Sequence, residues 1–327
     1  MTTYKGINGF AVQSVATDPS PLDEGQVWYN NATYAFKLAA VTTVGTWASG
    51  GSLSTARRLP GGLGTQTAGL GFNGFGTAYS NATEEYDGTS WAGGGNTPDS
   101  VYGRKGAGTQ TAGLACGGGI IPSPGSLTTT ITYDGTSWSP VNSLNTKRYV
   151  HGTTGTQTAA LAFGGSSYSS PNTAATESWN GTSWTSLPGT MNTTRSSFGG
   201  TGIQTATLAF GGYSTANTAA TESWNGSSWT TVNSMNTARS ELGGAGTQTS
   251  SVAFGGYTTA VTGATETWNG TSWTTNPNSM GTARYYIGGA GTQTSALAFG
   301  GYTTANSAAT EEWTGPGSPV TKTITTS

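Results

Sequence analysis

The sequence predicts an all-β fold built from six similar units, each of four short strands. Three observations carry this reading. A glutamine-centred motif recurs with a period near 45 residues, short apolar runs end in double glycines, and Asn-Gly or Asp-Gly pairs separate two aromatic positions in five of the six units. The segment Gly-Thr-Gln-Thr begins at Gly64, Gly108, Gly155, Gly246 and Gly291, with the variant Gly202-Ile203-Gln204-Thr205. Its glutamines, Gln66, Gln110, Gln157, Gln204, Gln248 and Gln293, are separated by 44, 47, 47, 44 and 45 residues. Self-similarity at such a period is the signature of a repeat architecture.

Each unit reads in the same order. An arginine lies nine residues before the glutamine in five copies, Arg57, Arg148, Arg195, Arg239 and Arg284, whereas the second copy has Arg104 six residues before Gln110. The first strand follows the arginine. The second is the apolar run that closes on a double glycine, as in Leu161-Ala162-Phe163-Gly164-Gly165. The third ends at Tyr86, Tyr133, Trp179, Trp224, Trp268 or Trp313, and the fourth begins at Trp91, Trp138, Trp184, Trp229 or Trp273. The Asn-Gly and Asp-Gly pairs between third and fourth strands favour positive φ and a tight hairpin. Four strands in about 45 residues is the size of a propeller blade, and the units are too rich in Gly and β-branched residues for helical repeats.

Composition narrows the class of function. Of 327 residues 8% are charged and the formal net charge is -2, so attraction to nucleic acid or an anionic membrane is not indicated. With 11 Trp, 14 Tyr and 9 Phe the chain has the large side chains to build a core. Residues 1–20 lack an apolar run flanked by basic residues, and no stretch approaches a membrane span, so synthesis in a cytosol without a signal peptide or membrane insertion is expected.

An apolar run, a double glycine, an aromatic-turn-tryptophan, then Met and Arg resembles the kelch repeat. The fifth unit carries all of it: Phe254-Gly255-Gly256, Glu266 to Trp273, then Met280 and Arg284. The resemblance covers roughly residues 41–315 and implies a six-bladed kelch-like β-propeller with four-stranded blades. The sixth unit ends at Trp313-Thr314-Gly315 without a following Ser-Trp strand, and the matching piece, Gly45-Thr46-Trp47, lies upstream of the first unit. Residues 41–327 are therefore expected to form the propeller, closed by the strand around Trp47. The β-prone tail from Pro319 is left either competing for that place or adding an outer strand.

Residues 1–40 fall outside the repeat. Gly25 to Asn30 and Tyr34 to Leu38 read as a hairpin, with Tyr34, Phe36 and Leu38 on one face. A lone hairpin is marginal in water, so it needs a surface to pack on. Trp28, Tyr29, Tyr34 and Phe36 are the candidate assembly residues. The Gly-Gln-Val-Trp-Tyr-Asn run before a Phe-Lys is similar to short stretches of tail and fibre proteins of bacteriophages, notably marine ones. That resemblance covers about a dozen residues. Joined to the repeats, it implies a virion structural protein whose partners are other virion proteins or copies of itself.

The chemical inventory is poor. His151 is the only histidine and Cys116 the only cysteine, so a Cys/His zinc site is unavailable within one chain and any Ser-His-Asp arrangement would have to use His151. His151 occupies a place held elsewhere by Pro60, Phe198, Leu242 and Ile287, and Cys116 one held by Phe72, Phe163, Phe210, Phe254 and Phe299, which makes both strand residues. Glu84, Glu177, Glu222, Glu266 and Glu311 recur two residues before the aromatic in five of the six units, Ile131 standing there in the second; a feature so repeated points to a structural Arg–Glu contact rather than to glycoside hydrolysis. No catalytic residue, metal or cofactor is expected. Tyr168, Tyr213, Tyr257 and Tyr302 follow the double glycines among Ser, Thr and Asn, and form the candidate sugar-binding face, against the alternative that they pack between blades. Two functions survive this reading: a phage tail fibre, appendage or decoration presenting the propeller for assembly or host-surface attachment, and a free-standing carbohydrate- or protein-binding propeller.

Overall fold

The structure is a computed structural model that describes residues 12–20, 26–41, 44–120, 125–167, 172–317 and 319–324. Among these residues every regular element is a strand. Six four-stranded sheets share one strand order, first-second-third-fourth. In the third unit Gly152–Gly155, Ala160–Phe163, Thr176–Trp179 and Trp184–Leu187 pair antiparallel in sequence, with Gly152 opposite Phe163, Phe163 opposite Thr176 and Thr176 opposite Leu187. The second strand is buried at every position, whereas the fourth exposes its two central residues. That gradient explains the composition: glycine-rich first strands, apolar second strands, and Thr and Ser at the outside.

The hairpin between third and fourth strands forms as its sequence requires. Asn180 Oδ1 accepts from the backbone N–H groups of Thr182 and Ser183, at 2.9 and 2.8 Å, and Gly181 takes a φ of 90°. Asp87 does the same for Thr89 and Ser90 in the first unit. Such side-chain capping of a turn is what Asn and Asp supply.

Successive sheets are joined by apolar packing and by two sets of hydrogen bonds. Leu161 and Phe163 of the third sheet pack with Ala209, Trp224 and Trp229 of the fourth. Leu297 and Phe299 of the last sheet pack with Tyr86 and Trp91 of the first. The recurring glutamine ties each unit to the one before it: Gln204 Nε2 donates to the carbonyls of Ala160 and Trp179, and Gln66 of the first unit donates to Ala296 and Trp313 of the last. The fourth-strand tryptophan reaches back likewise, Trp229 Nε1 donating to Thr176 Oγ1 at 3.0 Å and Trp91 Nε1 to Thr310 Oγ1 at 2.9 Å. These bonds satisfy backbone and indole groups that the close packing removes from water.

The fourth place in the last sheet is taken by Thr46–Gly50, beside Thr310–Thr314. Trp47 then makes the contact its counterparts make: its Nε1 donates to Thr265 Oγ1 of the preceding sheet at 2.9 Å, and its ring lies 5.1 Å from that of Phe254.

Chain contacts group residues 46–313 as one unit and residues 1–45 with 314–327 as another. In the second of these, Ala35–Val41 pairs antiparallel with both Val27–Asn30 and Pro319–Thr323, and Gln13–Val15 adds a parallel strand to Val27–Asn30. The tail strand thus pairs with the N-terminal segment, whereas the sequence pattern places residues 41–327, the tail included, with the repeats. The reason is pairing: Pro319–Thr323 finds a free edge on Ala35–Val41, while the free edge of the last repeat sheet is filled by Thr46–Gly50. Tyr34 does not share a strand face with Phe36 and Leu38. It sits in the turn of residues 31–34 with a φ of 54° and is 82% exposed. Asn30 Oδ1 draws the turn in by accepting from Ala32 and Thr33 N–H. Trp28 is fully buried and donates to Asp18 Oδ1 at 3.0 Å, while Tyr29 and Phe36 lie ring against ring at 5.0 Å.

Candidate binding cavity

One backbone feature organises the site. Leu59, Val150, Ser197, Glu241 and Tyr286, each two residues after the arginine of its unit, hold φ between 46° and 60°, and Gly103 of the second unit has 63°. Their backbones form a circuit of hydrogen bonds. Gly103 donates to Leu59, Val150 to Gly103, Ser197 to Val150, Glu241 to Ser197, Tyr286 to Glu241, and Leu59 to Tyr286, at 2.6–3.1 Å. A left-handed conformation costs a residue with a side chain about 1–2 kcal/mol. It persists where the surroundings over-determine it, which happens preferentially at functional sites. Here the circuit and the arginine before each residue provide that determination.

The arginines are clamped beneath. Arg148 Nη2 meets Glu177 Oε1 at 2.5 Å and its Nη1 donates to the carbonyls of Gly164 and Ala175. Equivalent ion pairs join Arg57 to Glu84, Arg195 to Glu222, Arg239 to Glu266 and Arg284 to Glu311. In the second unit, where Ile131 stands at the glutamate's place, Arg104 pairs instead with Asp99 and donates to Gly117 O. The second carboxylate oxygen of Glu177 accepts from Asn145 N–H at 2.7 Å, so the repeated glutamates are consumed by structure.

Above the circuit lies a cavity of about 730 Å³. Its floor is Leu59, Val150, Ser197, Glu241 and Tyr286, and its walls are built by the residues just before them, Arg58, Tyr102, Tyr149, Ser196 and Tyr285. Isolated bridges pair these with the position after the double glycine, or after Asn73-Gly74 in the first unit: Arg58 with Phe75, Tyr149 with Ser166, Tyr285 with Tyr302. The phenol rings brace one another. Tyr79 stacks on Tyr102 at 5.7 Å and 16°, Tyr102 meets Tyr149 edge-on at 5.6 Å, and Tyr285 meets Tyr302 at 5.6 Å. One side of the cavity is therefore aromatic and the other carries the hydroxyls of Ser166, Ser196 and Ser197.

Two charges face this space. The Arg58 guanidinium lies over the rings of Phe75 and Tyr302, 4.6 and 5.2 Å from their centroids. Among the described residues it is the one arginine without a carboxylate partner in an ion pair. Glu241 is pushed above the usual carboxylate range by burial, against a hydrogen bond from Tyr286 that lowers it. The Tyr286 phenol is pushed well above its ordinary value by burial and by that carboxylate.

Of the tyrosines singled out by sequence, Tyr302 lines the cavity. Tyr213 and Tyr257 occupy the equivalent place in their units but are 46% and 38% exposed and do not line it, although Tyr257 touches Tyr285 at 5.6 Å. Tyr168 lies outside the described residues, and the residue in register with the others in its unit is Ser166. Sequence reasoning missed Arg58, Tyr79, Tyr102, Tyr149, Glu241, Tyr285 and Tyr286. The positions after the repeated arginine were the available signal. His151 and Cys116 are fully buried, with His151 Nε2 3.5 Å from Cys116 Sγ.

No protein-family model matches the chain, and no curated protein matches it either.

Proposed function

We propose that the chain is a six-bladed kelch-like β-propeller that serves as a host-attachment module of a bacteriophage particle, its cavity taking a carbohydrate. The observation that carries the binding role is the cavity itself. About 730 Å³ is within the roughly 300–1,000 Å³ of small-molecule sites. Phenol faces suit the C–H faces of a sugar ring, while the serine hydroxyls, Glu241 and Arg58 suit its hydroxyl groups. Six sheets of one order, first strands that neighbour one another in sequence, and a hydrogen-bond circuit that returns from Leu59 to Tyr286 support the propeller reading. The particle reading rests on the resemblance of the Gly25 to Leu38 segment. The kelch reading rests on the repeat motif. The role is binding rather than turnover, because the repeated glutamates are held in ion pairs and neither they nor His151 line the cavity.

A glycan-panel binding assay with the full chain, followed by a hydrolysis assay on each glycan bound, tests this. Saturable binding without hydrolysis is expected. Absence of binding to any glycan, or release of product, would contradict it. A free-standing binding propeller would share the cavity; isolation of the chain from purified particles favours attachment, and its absence from them favours the free module.

A further inference from the structure

The second sheet departs from the repeat at two facing positions. In the other sheets with printed register Gly61, Gly152, Gly199, Gly243 and Gly288 stand opposite Phe72, Phe163, Phe210, Phe254 and Phe299. A Cβ on any of these glycines would lie 2.2–2.4 Å from the facing ring, so only glycine fits. In the second sheet the pair is Lys105 opposite Cys116. The small cysteine removes the clash, and the space it releases admits a lysine where five units have none.

Lys105 lines a cavity of about 80 Å³ bounded by the first strands of all six sheets, together with His151, Thr153 and glycine backbone. These first strands are sheet edges, so N–H and C=O groups on one side of each are outside the ladder. Among the described residues the Lys105 side chain makes no hydrogen bond and no ion pair, its backbone being paired in the ladder opposite Cys116. The groups around it do not compensate its charge. Arg104 and Arg148 are engaged with Asp99 and Glu177, and burial foremost, then the charges of Arg148, Lys105 and Arg104, pushes His151 well below its ordinary value, so the imidazole is neutral. Cys116 is held as a thiol by burial, up to about 11. Glu241 lines a gap of about 10 Å³ that Lys105 also lines, but makes no ion pair with it. His151 Nδ1 is buried without a partner. The Lys105 ammonium is half-buried with no counter-charge beside it, and pairing with an anion stabilises such a partly desolvated charge.

We propose that this axial cavity is a binding site for a small inorganic anion, of the size of chloride or phosphate, with the Lys105 ammonium as its counter-charge. The volume decides the size: at about 30 Å³ per liquid water, 80 Å³ holds a small ion with a water or two and excludes a sugar. A second space of about 130 Å³, which shares Gly62, Gly106, Thr153, Gly200, Gly244 and Gly289 with the first, supplies the route in. The site is separate from the tyrosine cavity and stands whether or not that cavity takes a carbohydrate.

The test is the melting temperature of the full chain, titrated with chloride and with phosphate at constant ionic strength against gluconate, together with chloride-35 line broadening. A saturable rise and a broadening that phosphate competes away are expected. Lys105→Met is expected to weaken the apparent affinity about tenfold or more, the size of a charged hydrogen bond. Lys105→Gly, the residue of the other five units, repeats the test should the methionine not fold. No saturable rise in the wild type, no chloride-35 broadening, or an unchanged affinity in either variant would overturn the proposal.

Discussion

The backbone N–H of Leu59 donates to the carbonyl of Tyr286 over 2.9 Å, joining the first repeat unit to the last. The same junction is made three more times at increasing distance from the first strands: Gln66 to the carbonyls of Ala296 and Trp313, Tyr86 to Glu312 Oε1 at 2.6 Å, and Trp91 to Thr310. These contacts repeat those between consecutive units.

Trp47 is the side chain on which the last sheet's outer strand depends. Its indole meets Thr265, Phe254 and Trp313. Trp47→Ala is expected to destabilise the repeat unit by about 3 kcal/mol, in the range of large aromatic truncations, measured by chemical denaturation. A loss below about 0.5 kcal/mol would mean that the strand Thr46–Gly50 is dispensable.

Glu177 neutralises Arg148 where both side chains are fully inaccessible. Removing one partner of such a pair leaves an uncompensated charge, so Glu177→Ala is expected to cost about 3–5 kcal/mol. A double-mutant cycle with Arg148→Met checks it: the double variant should lose less than the sum of the two single losses.

Much of the architecture was legible because each unit repeats its constraints. The double glycines, the turn Asn180-Gly181 and the displaced Trp47 all announce their places by type and spacing. The site was not legible for the opposite reason. Leu59, Gly103, Val150, Ser197, Glu241 and Tyr286 share a backbone conformation, φ of 46–63°, but no residue type, and only Gly103 hints at it. Tyr102, Tyr149 and Tyr285 fall where other units carry Arg58, Ser196 and Ser240, so periodicity hides them. The pairing of Pro319–Thr323 with Ala35–Val41 joins the chain's two ends, and no local pattern encodes such a contact.

Ser197 offers a direct measure of the strain in the circuit. It is half-buried and holds a φ of 56°. Ser197→Gly relieves about 1–2 kcal/mol of left-handed strain and loses roughly 0.5–1 kcal/mol through the freer unfolded chain. A net gain of about 0.5 kcal/mol is expected in denaturant titration; a loss of 1 kcal/mol or more would show that the hydroxyl, not the backbone, sets the energy here.

Asp18 governs the acid response of the N- and C-terminal unit. It accepts from Trp28, Asn30 and Lys37, and these bonds, that from Lys37 foremost, hold it near a pKa of about 2 rather than 3.8. A carboxylate lowered in the folded state contributes stability above its unfolded value that fades as pH falls through the folded one. Protection of the Trp28 indole N–H from hydrogen exchange is therefore expected to weaken between about pH 4 and pH 2, and Asp18→Asn is expected to remove that pH dependence.

The central claim is that recognition occurs in the cavity and not on the exposed tyrosines around it. The decisive measurement is a calorimetric titration of the best-binding glycan against wild type, Tyr149→Ala and Tyr213→Ala. Loss of a stacking phenol in the cavity should weaken binding about tenfold, while loss of Tyr213, outside the cavity, should leave it unchanged. Equal affinity for wild type and Tyr149→Ala, with a loss in Tyr213→Ala, would contradict the account.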